Sequence, residues 1–260
     1  IDAETRDRLI AEDPRSAEVI KPFLAGRDVK RYAPLETDKF LILFEKGVSN
    51  QKGAGYRSKW AWVENEYPAV AAYLKPFQKA AEKRYDKGDY WWELRACDYY
   101  ESFEGPKIII PAIVKSASYA FDTDGFYSND KTSIIPTNDL YLLGVLNSKV
   151  SDFTVFNISS TKQGGYFEYK PMYVSQIPIR PIDPADPADV ARRDRMVSLV
   201  ETMLDLNRRL AGARTGADKI FINREIEATD ARIDALVYDL YGLSEEEIAR
   251  IEQAVLEKRL

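Results

Sequence analysis

Two stretches of this chain carry half of a metal-dependent nuclease site, an acidic residue two positions before a lysine: Asp28-Val29-Lys30 and Glu168-Tyr169-Lys170. Cation-assisted hydrolysis also needs a separate carboxylate, so that the metal is held while the lysine steadies the reacting oxygen. Neither stretch supplies one by its spacing. With 37 Lys and Arg against 42 Asp and Glu, such pairs also arise by chance. Asp122, Asp124 and Asp130 offer three carboxylates for a cation, but Asp124-Gly125 equally suits a tight turn. Other chemistries fall away by composition. The chain has no histidine and a single cysteine, Cys97, which removes Ser-His and Cys-His triads and the commonest zinc ligand. There is no Walker A, G-x-G-x-x-G or G-x-S-x-G motif, and Gly164-Gly165 alone is a turn. No catalytic residue and no metal ligand is assigned.

What remains is equipment for recognition. "SNQKGAGYRSKW", Ser49 to Trp60, sets two amides, three cations and two aromatic side chains on a backbone loosened by Gly53 and Gly55. "SSTKQGGY", Ser159 to Tyr166, repeats the recipe on a smaller scale. Lysine and arginine suit phosphates, Asn and Gln suit adenine edges, and cations suit guanine. On this reading Lys46, Lys52, Arg57 and Lys59 grip phosphates. Asn50, Gln51, Tyr56, Lys162, Gln163 and Tyr166 contact bases or a groove. Loops of the same composition occur on proteins that touch no nucleic acid, so both readings stand. Charge is unevenly spread. The total is −5, yet residues 1–180 are neutral, residues 21–60 carry +5 and residues 181–260 carry the whole −5.

The elements that must position these residues follow from period and turn chemistry. Residues 1–20 are weakly helical to Pro14, and "VIKPFLAGRDVKRY" is an apolar patch with a Gly turn. "KFLILF" reads as a buried strand, "EKGVSNQKGAGYRSKW" as a loop, and the stretch after Pro68 as a short helix. "YWWEL" is strand-like. "KIIIPAIVK" is a strand ended or bulged at Pro111, "SYAFDTDGFYS" a hairpin about Asp124-Gly125, and "SIIPT" another strand. "DLYLLGVLNSKVSDFTVF" predicts one helix capped by Asp139 or Asn138, and "YFEYK" and "YVSQIPI" close the β-rich part. "RPIDPADPADV" is a proline-rich linker. Beyond it, apolar stripes at Met196, Val200, Met203, Leu204 and Leu210, and at Ile222, Ile226, Thr229, Ile233, Leu236, Val237 and Leu240, predict two amphipathic antiparallel helices. Ser244-Glu245-Glu246-Glu247 is a capping box for a third. The fold class is α+β: a connecting segment over 1–20, a β-rich recognition body over 21–180, and a helical region over 181–260. No apolar run reaches the ~20 residues of a membrane span, and one cysteine fits a reducing cytoplasm. An initial Ile in place of Met points to a piece of a longer chain.

The order of several motifs is itself informative. "IKPFLAGRDVKRY", "YWWEL" followed by "FEGPKIIIPAI", "FYSNDKTSIIPT", "YLLGVLNSK", "GGYFEYKPMYVSQIPI" and "REIEATDARIDALVYDLYGLSEEEI" occur in turn. This series resembles the C-terminal target-recognition region of type IIG restriction-modification enzymes and TaqI-like adenine-specific DNA methyltransferases. The resemblance runs from about Val19 to Ile251. It implies a module that reads double-stranded DNA for an upstream methyltransferase domain of the same polypeptide. That domain would bind S-adenosylmethionine and methylate a flipped adenine, with magnesium needed if the parent also cleaves DNA. The family's Asn/Asp-Pro-Pro-Tyr/Phe signature is absent, since no Pro-Pro dipeptide exists here. The resemblance therefore places catalysis and cofactor outside this chain. Two rivals stay open: a protein-interaction module of a phage-defence assembly, and a stand-alone nuclease.

Overall fold

The structure, a computed structural model, describes residues 1–259. Two compact units emerge. The first comprises residues 1–24, 37–105 and 124–127, and the second residues 25–36, 106–123 and 128–260.

In the first unit, helix α1 (Ala3–Glu12) starts at Asp2, whose carboxylate accepts from the Thr5 N–H at 2.8 Å. The short α2 (Ser16–Val19) feeds strand β1 (Ile20–Leu24), which pairs antiparallel with β2 (Phe40–Ile42). Helices α3 (Val48–Lys52), α4 (Lys59–Glu66), α5 (Pro68–Leu74) and α6 (Gln78–Ala81) follow. Pro68 stands in the first turn of α5, where a missing N–H costs nothing. The core is aromatic: Phe44 meets the edges of Trp62 and Tyr67 at 6.0 and 5.8 Å, among Leu9, Val63 and Val70.

Two expectations are corrected here. The stretch read as one loop over residues 45–60 contains α3 and the start of α4, because Ser58 caps α4 by accepting from the Ala61 N–H at 3.0 Å. "YWWEL" forms no strand. Trp91 and Trp92 are buried from a turn, and the only pairing nearby is the single bridge Lys87↔Leu94. Their apolarity serves side-chain burial without a ladder.

The second unit is built on β3 (Lys107–Pro111), buried along its whole length. After β4 (Ile113–Val114) come β5 (Ala120–Asp122) and, past β6 (Tyr127–Ser128), whose Tyr127 belongs to the first unit, β7 (Thr132–Pro136). β5 and β7 flank β3, both antiparallel. The expected hairpin about Asp124-Gly125 is not made: β5 pairs with β3, whereas β6 joins the sheet of β2 and β1. Lys107 and Asp122 form a fully buried ion pair across β3 and β5, so Asp122 neutralises a lysine instead of joining Asp124 and Asp130 around a cation.

The expected long helix is two, α7 (Leu140–Leu146) and α8 (Lys149–Ile158). They break where the Asn147 amide bonds the backbone N–H and C=O of Tyr119, each at 3.0 Å. Asp139 caps α7 and Ser148 caps α8. Strands β8 (Thr161–Lys162) and β9 (Tyr166–Glu168) form a hairpin that extends β4 into a three-stranded sheet. "YVSQIPI" is not a strand, since its start completes the one-turn helix α9 (Pro171–Val174), with Pro171 leading. Then come α10 (Pro187–Gly212), α11 (Gly216–Tyr241) and α12 (Glu245–Arg259). Arg192 reaches Asp239 at 2.9 Å near one end of α10, and Arg209 reaches Glu225 at 3.6 Å near the other, so α10 and α11 run antiparallel. Both stripes face inward: Met196, Val200, Met203, Ile233, Leu236 and Val237 are buried. Ser244 and Glu247 close the capping box reciprocally. Strands confined to the N-terminal part and long helices after it make the fold α+β.

Candidate functional site

In the first unit, the cationic stretch is organised by a residue outside it. Glu93 is fully buried, and its carboxylate accepts four backbone N–H bonds. Gly47 and Ser49 donate at 3.2 and 3.1 Å, Asp89 and Tyr90 at 2.8 and 3.3 Å. A one-turn helix such as α3 cannot satisfy its own first N–H groups. The buried carboxylate does so and ties the start of α3 to the segment 89–93. Trp92 reinforces the tie, donating its indole N–H to the Ser49 hydroxyl at 2.9 Å.

The sequence-predicted residues divide by how far the fold engages them. The side chains of Gln51 and Lys52 are exposed on α3 and make no hydrogen bond or ion pair among the described residues. Arg57 is 86% exposed and 3.9 Å from Glu64, a contact that solvent makes weak. Lys46 lies 3.7 Å from Asp89, and Lys59 donates to the Gly53 carbonyl at 3.1 Å. Asn50 uses both ends of its amide, donating to Asp89 at 2.8 Å and accepting from the Tyr90 hydroxyl at 2.7 Å. Tyr56 donates its hydroxyl to Glu66 at 2.5 Å, and that bond raises the phenol's pKa and lowers the carboxyl's. So Gln51, Lys52 and Arg57 are presented outward, while Asn50 and Tyr56 also hold the local structure.

In the second unit, Lys162, Gln163 and Tyr166 sit at one hairpin tip. Lys162 pairs with Tyr166 across the strands, and Gly164 and Gly165 take φ of +85° and +76°, a left-handed turn that favours glycine. Tyr166 and Glu168 point to the same face by the two-residue period of a strand. Lys162 and Lys170 both meet Glu168, at 3.0 and 2.8 Å. The two lysines hold the Glu168 carboxyl below the usual glutamate range. Glu168 is thereby committed to pinning ammonium groups, and Asp28 is committed to the Ala25 N–H at 2.8 Å, so both acidic-x-lysine pairs have structural uses. Gln163 is exposed and makes no hydrogen bond among the described residues. Lys115 approaches the Tyr166 ring at 5.9 Å, and Ile113, opposite Glu168, is 46% exposed.

Glu93, Asp89, Lys115 and Ile113 were not singled out by sequence. Asp89 and Glu93 sit around "YWWEL", whose apolar character suggested a strand and hid the carboxylate's task. Among the described residues no three or more Cys, Asp or Glu side chains converge as a metal site, and no helix is long and apolar enough to cross a membrane.

The family model for the TaqI-like C-terminal specificity domain matches residues 21–179, a span that contains both loops. No curated protein sequence matches the chain. Among solved structures, the type IIL restriction-modification enzyme MmeI, determined in complex with DNA, shares the fold with a TM-score of 0.61 at 15% identity. That likeness covers 100% of this chain and 33% of the other, so the chain spans about a third of that protein's length.

Proposed function

Because the chain belongs to the TaqI-like C-terminal specificity domain family, we propose that it reads a target sequence in duplex DNA for a restriction-modification enzyme. Family membership over the span that holds both loops carries this reading. In the first unit, Lys46, Lys52, Arg57 and Lys59 bind phosphates and fix register, with Asn50, Gln51 and Tyr56 beside them at the groove. In the second, Lys162, Gln163 and Tyr166 meet base edges from the hairpin tip. Division of labour follows from chemistry: a cation on a phosphate carries no sequence information, whereas a paired amide and cation discriminate between bases. The parent enzyme, in this reading, is an adenine-specific methyltransferase or type IIG enzyme of the cytoplasm. Its S-adenosylmethionine-binding domain is a separate upstream part of the polypeptide, to which this module delivers the DNA. Magnesium enters only if the parent cleaves.

The test is fluorescence anisotropy of this chain on a labelled duplex across a salt series. Affinity should fall steeply with salt, and Lys52→Ala or Arg57→Ala should each reduce the log–log slope by about one unit. A chain that binds no duplex at low salt overturns the proposal. One observation favours protein interaction as an additional role. Ile220 and Phe221, at the α10–α11 end, are each 58% exposed. If that end meets the catalytic domain, Phe221→Ser should weaken their association and leave duplex binding by this chain unchanged.

A further inference from the structure

A second exposed feature shares the Glu93 anchor. The turn after α6, residues 83–88, is firmly built. Arg84 donates to the carbonyls of Trp91 and Glu93 at 3.2 and 2.8 Å. Lys87 donates its ammonium to the Arg84 carbonyl at 3.0 Å, and the Gly88 N–H reaches the Glu93 carbonyl at 3.2 Å. From this fixed frame Tyr85 projects with its side chain wholly in solvent. It has no ring contact and no hydrogen bond among the described residues, and Lys83 beside it is exposed without an ion pair. Residues 79–87 hold Lys79, Lys83, Arg84 and Lys87 against Glu82 and Asp86, leaving the turn net positive.

A phenol ring fully in water contributes nothing to the fold, and a rigid frame beneath it removes the ordering cost that a mobile loop would incur on binding. Glu93, whose backbone carbonyl holds this turn, also fixes Gly47 and Ser49 at the start of α3 through its carboxylate. We propose that Tyr85 is a further nucleic-acid contact, its ring packing on the sugar–base edge of the duplex, with Lys83 on the adjoining phosphate. This inference rests on the proposal that the chain binds DNA.

The test compares the full chain with Tyr85→Ala and Tyr85→Phe on one duplex, by anisotropy across a salt series and by thermal melting. Tyr85→Ala should bind about tenfold more weakly, as expected for one aromatic–nucleotide contact. Its salt slope and melting temperature should equal the wild type's, because no charge and no core contact is lost. Tyr85→Phe should retain most of the affinity, since the ring does the packing. Wild-type binding with an undiminished Tyr85→Ala overturns this inference alone. A wild-type chain that binds no duplex overturns it together with the proposed function.

Discussion

Two carboxylates, one in each unit, do the arranging that cations are noticed for. Glu93 gathers four N–H groups and Glu168 gathers two ammoniums. Glu93→Gln would turn an NH2 group toward backbone donors, leaving buried N–H groups unpaired. Hydrogen bonds to a charged group contribute roughly 1.5–3 kcal/mol each, so a loss of about 3 kcal/mol is expected in denaturant unfolding of the first unit. Glu168 gives a pH prediction. Its folded pKa is depressed by Lys170 and Lys162, so its stabilisation is present above the unfolded value and lost as pH falls through the folded one. NMR titration of Lys162→Ala should show the Glu168 midpoint moved upward, and an unmoved midpoint would mean that the pair is not formed in solution. Gln163→Ala should relax preference at one base pair by roughly 1–3 kcal/mol without changing the salt slope, measured by anisotropy on single-base site variants. At this scale the sequence singled out Lys52, Arg57 and Gln163 by side-chain type, and all three are exposed. It did not reveal Glu93, because two of its backbone donors, Gly47 and Ser49, lie 46 and 44 residues earlier in the chain.

Among elements, legibility followed the reach of the contacts that stabilise them. The α10 and α11 stripes were readable because a 3.6-residue period is local, and Asp139 and Ser244 cap within three residues of themselves. The α7–α8 break was not, because Asn147 turns away to bond Tyr119, 28 residues earlier. The hairpin expected about Asp124-Gly125 was misread, because the partners of β5 and β6 are chosen by the sheets. Two substitutions test the packing. Ile233 is fully buried in α11, and Ile233→Asp would bury an unpaired charge at a cost of several kcal/mol. A strongly lowered melting temperature is expected, and an unchanged one would mean the stripe faces outward. Gly144 lets α7 approach α10 closely. A Cβ there would stand 2.5 Å from Met196 Sδ and 2.9 Å from Val200 Cγ2, so Gly144→Ala should destabilise by about 1–3 kcal/mol. Gly212→Ala, with nothing within 4 Å of the new atom, serves as its control.

For the molecule as a whole, charge and composition excluded much catalytic chemistry, and the order of soft motifs carried the family. A net charge of −5 argues against indiscriminate nucleic-acid binding, so the proposed role depends on local groups presented by fixed loops in each unit. That dependence makes sequence selectivity the central claim. The most direct measurement incubates this chain with a pool of duplexes randomised over the central base pairs and sequences what is retained through successive rounds. The account predicts convergence on one short motif, with Gln163→Ala recovering the same motif degenerate at a single position. A retained pool that binds yet stays as random as the input would contradict it.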